Sequence, residues 1–128
     1  LGYSENDVLL RLDVPAVGPS LNDFFGRMHW TKRKELNDTW HSMAYRAIQQ
    51  APQPALGQVS ECIMFCTFRP DREAQDGINL APTCKMLEDA LVKLELIPDD
   101  TGAWVAMHHL AGRNSQADHT TLLYMRKL

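Results

Sequence analysis

The chain has 128 residues, 45% of them hydrophobic and 23% charged, with a formal net charge of −3. That is the size and make-up of one folded domain spanning 1–128, which excludes a disordered or fibrous chain. No apolar run approaches the roughly 20 residues needed to cross a bilayer, so no membrane partner is expected.

The opening LGYSENDVLL lacks the basic-then-apolar order of a signal peptide. In DVLLRLDVP, Val8, Leu10, Leu12 and Val14 alternate with Leu9, Arg11 and Asp13, which predicts a strand. GPSLNDFFGRMHW carries turn residues at Gly18, Pro19, Asn22 and Gly26 and reads as a long loop. From Thr31 to Gln50 the residues Leu36, Trp40, Met43, Ala44, Ala47 and Ile48 make one helical stripe, with Thr31 as the expected N-cap. APQPALGQ breaks that helix, and VSECIMFCTF is apolar enough to be a central strand.

Pro82 suits the first turn of a second helix. Its core face is expected to be Met86, Leu87, Ala90, Leu91 and Leu94, with Lys85, Glu88, Asp89 and Val92 opposite. GAWVAMHHLAGR and HTTLLYMRKL read as two strands, expected to form a hairpin that turns near 114–118. The order β-α-β-α-β-β predicts an α+β (mixed α/β) single domain with a mixed sheet and two helices.

The charge is uneven. Between Asp71 and Asp100 eight acids face Arg72, Lys85 and Lys93, whereas elsewhere eight acids face ten basic residues. Hard cations such as Mg²⁺ take oxygen ligands, often one or two carboxylates plus water and phosphate oxygens. Asp76, Asp89, Asp99 and Asp100 are the candidate ligands. A solvated acidic face is the competing reading, because PDDTG is also good turn chemistry. Lys85 precedes Asp89 by four residues near a helix start, where a cation opposes the helix dipole; it reads either as a lysine placed for a phosphate or as an ordinary solvent-exposed one. Lys32, Arg33 and Lys34 repeat that oddity in the first helix; its start reads either as an anion site for a phosphate backbone or as an ordinary basic surface turn.

Other chemistry has little support. The five histidines form no HExxH-type pattern, and no GxGxxG, GKS/T or GxSxG motif is present. His108 and His109 point to opposite faces of a strand, so one at most serves a given site. Trp30, Trp40 and Trp104 read as core or interface anchors. Cys62, Cys66 and Cys84 form no CxxC pair, which argues against zinc and for reduced, buried thiols in a cytoplasmic protein.

DGINLAPTCKMLEDALVKLELIPDD, with the VPAVGPSLNDFFGRMHW and FRPDR stretches, resembles the RusA-like Holliday junction resolvases, small endodeoxyribonucleases of phages and prophages. The resemblance spans most of the chain. It implies metal binding by Asp76 and Asp100, aided by Asp99 and Asp89. It further implies a catalytic set of Asp76, Lys85 and Asp100, with Asn79 supporting. Mg²⁺ or Mn²⁺ would be the cofactor. A homodimer in the bacterial or phage-infected host cytoplasm would nick branched DNA in pairs during recombination and repair. Arg27, Lys32, Arg33, Lys34, Arg69 and Arg72 would touch the DNA backbone. Ile78 stands where the family has a second aspartate, and the lysine lies farther from Asn79 than in the prototype. Two further readings therefore accompany the nuclease: an inactive junction binder on the same fold, and a phage protein-binding module.

Overall fold

The computed structural model describes residues 3–127. Residues 1, 2 and 128, part of the expected 1–128 domain, lie outside the described residues. Six main elements follow the expected order: β1 (Val8–Val14), α1 (Trp30–Gln50), β2 (Ser60–Phe68), α2 (Ala81–Lys93), β3 (Val105–Asn114) and β4 (His119–Arg126). They make a single mixed α/β domain with one four-stranded sheet. Among the described residues no helix is long and apolar enough to cross a membrane.

Alternation shapes the sheet as the sequence suggests. Leu10, Leu12 and Val14 of β1 are buried, and so are Ser60, Cys62, Met64, Cys66 and Phe68 of β2. Trp40 and Ala44 are the buried residues of α1, while Leu36, Met43, Ala47 and Ile48 pack against the core from its margin. Trp30, by contrast, is an exposed residue.

The strand order is β1-β4-β2-β3, with β4 antiparallel to both β1 and β2 and β3 parallel to β2. This overturns the expected hairpin, since β2 lies between β3 and β4. The reason is burial. Thr120 to Met125 are all buried, so β4 needs a neighbour on each edge, whereas Ala106 to His109 of β3 are exposed and suit a sheet edge. A parallel pair needs a crossover, and α2 supplies it between β2 and β3.

Three local expectations also change. His29, not Thr31, caps α1: its Nδ1 accepts the Thr31 N–H at 3.2 Å. The loop before α1 contains a π-helical turn, Asp23–Arg27, pinned by buried Phe24. Glu88 is buried rather than on a polar side, because its side chain turns to the sheet, where it meets His108 and Tyr124, while α1 packs on another flank of α2.

Candidate metal and phosphate site

The acidic segment folds back on itself through the end of α2. Glu95 adopts a left-handed φ of 61°, and the Leu96 N–H closes onto the Leu91 carbonyl at 3.0 Å. This is a Schellman-type stop, formed here without glycine. The chain then returns Asp100 to α2, where its carboxylate accepts a charge-assisted hydrogen bond from Lys85 Nζ. The same ammonium lies 3.0 Å from Asp89 Oδ1, one helical turn away. Hydrogen bonding to Lys85 holds the Asp100 carboxyl below its ordinary range and pushes the Lys85 ammonium above its own. Both shifts favour the charged forms of Lys85 and Asp100.

Asp99 does not join this trio, because its Oδ1 accepts the Asp100 backbone N–H at 2.8 Å. Asp76 precedes a 3-10 turn, Gly77–Leu80, and is exposed, with no side-chain capping bond. The Asn79 N–H closes that turn onto the Asp76 carbonyl at 2.9 Å. Neighbouring backbone comes very close here: a Cβ on Gly77 would strike the Leu110 carbonyl, and one on Gly112 the Gln75 carbonyl. Glycine at both points lets Gln75–Gly77 lie against β3. Ile78 is 66% exposed.

Two clefts meet at Asp100. One, of about 460 Å³, is bordered by Lys34, His41, Asp89, Lys93 and Asp100. The other, of about 340 Å³, is bordered by Cys84, Lys85, Glu88, Asp100, His108 and Leu110. Two carboxylates reaching one cationic point suit a hard divalent cation, which needs one or two carboxylates plus water. Asp89 and Asp100 thus fit such an ion by donor chemistry.

The six cations separate. Among the described residues Lys34 is the one of them that borders the cleft with Asp89 and Asp100. Lys32 pairs with Glu35 at 3.8 Å, and Arg27 with Asp23 at 4.0 Å. Arg33 is half-buried in the first turn of α1, beside them. Arg69 and Arg72 lie beyond the end of β2, paired with Asp71 and Asp118 at 2.8 and 2.7 Å.

A second cluster has no counterpart in the sequence motifs. Cys62, Cys84 and His108 each offer a ligand atom, and these atoms lie within 4.8 Å of one another, so together they can hold a metal ion. Cys62 pairs with His108 across β2–β3 and with Tyr124 across β2–β4, so the three share one row on the helix-covered face. Above them Cys84 and Glu88 descend from α2. Glu88 accepts from His108 Nε2 at 2.9 and 3.0 Å and from the Tyr124 hydroxyl at 2.8 Å. That bond to Glu88 raises the His108 pKa against the opposing effect of burial. The neighbouring Cys84 and burial together push the Cys62 thiol well above its ordinary range.

The missing CxxC pair hid this cluster, since its members come from β2, α2 and β3. The only usable signal was spacing: Cys84 and Glu88 are four apart and share a helix face. No protein-family model matches the chain, and no curated protein matches it.

Proposed function

We propose that the chain is a Mg²⁺-dependent, structure-selective endodeoxyribonuclease that resolves four-way DNA junctions by paired nicks. One observation carries the reading: Asp89 and Asp100 both reach Lys85, at the meeting point of two open clefts. The resemblance of the DGINLAPTCKMLEDALVKLELIPDD segment to the RusA-like resolvases supports the same assignment.

In this reading Asp100 and Asp89 hold the cation, with Asp76 and Asp99 as the remaining carboxylates of the segment. A bound divalent ion would polarise the phosphodiester and lower the pKa of an attacking water. Lys85 is placed to meet negative charge developing on the scissile phosphate. With a cation held by the two carboxylates, the Lys85 ammonium would be free to meet the phosphate. Lys34 of α1 and Lys93 at the end of α2 border the cleft and attract the DNA backbone, with Lys32, Arg33 and Arg27 near Lys34 in the chain. Asn79 supports the Asp76 turn. A two-fold homodimer would present two such sites to a two-fold junction.

A second reading has its own support. Asp76 stands without a side-chain partner among the described residues, and exposed Ile78 cannot ligate a metal. Both favour a junction binder that does not cut.

One experiment separates the two. A labelled synthetic four-way junction, with linear duplex as control, is incubated with Mg²⁺, Mn²⁺ or EDTA beside Asp100→Asn. Symmetric, metal-dependent nicks lost in the variant are expected. An intact junction under both metals would reject catalysis, and a gel shift on the same samples then identifies a binder. No shift even at low salt, where backbone contacts are strongest, leaves the protein-binding module.

A further inference from the structure

We propose that Cys62, Cys84 and His108 form a binding site for a thiophilic divalent cation of the zinc class, with Glu88 orienting the imidazole. The inference does not rest on the nuclease reading, for it uses none of the carboxylates assigned there.

The donor set decides the class of ion. Two sulfurs and an imidazole suit zinc and disfavour magnesium, which demands oxygen. The spacing is close to what such an ion needs. Bonds of about 2.3 Å to sulfur in a tetrahedron place the ligand atoms about 3.7 Å apart. The observed ligand atoms already lie within 4.8 Å of one another, so small side-chain rotations close the site.

The surroundings match a metal centre as well. A ligating histidine usually gives its other ring N–H to a carboxylate, which fixes its tautomer. Glu88 engages His108 Nε2 in that way and is itself anchored by the Tyr124 hydroxyl at 2.8 Å. With Nε2 given to Glu88, Nδ1 is the nitrogen whose lone pair would serve the ion. The pairing with His108 also gives a reason for a buried glutamate inside the domain, where an acid without such a role is costly.

Access is provided too. The cleft of about 340 Å³ is bordered by Cys84, Glu88 and His108, so an ion from solvent would meet these side chains first, with Cys62 buried behind them. Three protein ligands leave a fourth tetrahedral position for water or a bound molecule. Because the ligands come from β2, α2 and β3, the ion would tie the edge strand to the crossover helix.

Cys66 is the internal control. It lies on the same face of β2 but four residues along, roughly 13 Å away by strand rise, and its Sγ contacts Thr120 Oγ1 at 3.3 Å.

The test is a titration of the full chain, reduced and metal-free, with Co²⁺ as the spectroscopic stand-in for zinc. One equivalent should give a thiolate-to-cobalt charge-transfer band and the intense visible bands of tetrahedral cobalt. Zn²⁺ should displace it, and excess Mg²⁺ should not. Cys66→Ser should keep the spectrum. Cys84→Ser and His108→Gln should each weaken binding by at least ~10-fold, and Glu88→Gln by about 10-fold. His108→Gln alters an exposed edge strand, so it remains informative if Cys84→Ser fails to fold. The proposal is overturned if folded wild-type protein shows no charge-transfer band with stoichiometric cobalt, or if the band survives His108→Gln unweakened. No DNA is involved, so this result and the junction assay succeed or fail separately.

Discussion

Glu88 and Asp89 are neighbours in one helix and carry the same functional group, yet they inhabit different environments. The Glu88 side chain is 4% exposed and bonds to His108 and Tyr124, whereas that of Asp89 is 38% exposed and pairs with Lys85. A turn of about 100° per residue is all that separates them. The same contrast divides Cys84, facing the sheet, from Lys85, facing solvent. One flank of α2 therefore gathers sulfur and imidazole in the interior, and the other gathers hydrated carboxylates around an ammonium. Burial sets the chemistry each flank can perform: the inner one favours soft, desolvated ligands and the outer one mobile ions and phosphate.

The sharpest way to break this contrast is Asp100→Asn. Cleavage of the four-way junction is expected to fall by ~10² or more, the scale for removing one group that stabilises charge in a transition state. Thermal unfolding of the same variant should move little, because an exposed ion pair contributes about 0–1 kcal/mol. A large loss of stability with cleavage intact would reverse the assigned roles.

Next in size is the paired comparison of Glu88→Ala with Asp89→Ala in urea unfolding. Removing Glu88 strands the Tyr124 hydroxyl and the His108 N–H, and a cost of about 3 kcal/mol is expected. Removing Asp89 should cost less than about 1 kcal/mol. Equal costs would mean that burial does not distinguish the two flanks. Tyr124→Phe isolates one bond of the inner network. It takes a single donor from Glu88 and should cost about 1–2 kcal/mol, read as a lower urea midpoint at unchanged m-value.

The smallest expected effect is on pH dependence. Lys85 depresses the Asp100 pKa, so the pair's contribution is full above the unfolded value, near 4, and is lost as pH falls through the folded value. Solvent screening limits it to under about 1 kcal/mol. The stability difference between wild type and Lys85→Met should therefore close on acidification below pH ~4. A gap that widens there would contradict the sign.

Periodicity made most of the architecture legible. The alternation of Val8 to Val14, the apolar run before Phe68 and the stripe through Trp40 and Ala44 each became the expected element. Of the carboxylates the segment from Asp76 to Asp100 offered, the fold joins Asp89 and Asp100 to Lys85, while Asp99 bonds the Asp100 backbone and Asp76 is not a partner of that lysine. The hairpin expectation failed because chain order does not encode pairing order. Two strands joined by a short turn look alike whether they pair or straddle a third strand. The polar side assigned to α2 failed at Glu88 because a helix wheel assumes one buried flank, and this crossover helix is covered on more than one.

The sequence by itself determined which segments are strands and helices and where hard oxygen donors are concentrated, since both follow from local spacing. Only the tertiary structure decided that β2 separates β3 from β4, and that Cys62, Cys84 and His108 meet. The reason is physical: helix and strand periods act over a few residues. Convergence across a crossover depends on which faces are jointly removed from water, and that is a property of the packed sheet as a whole.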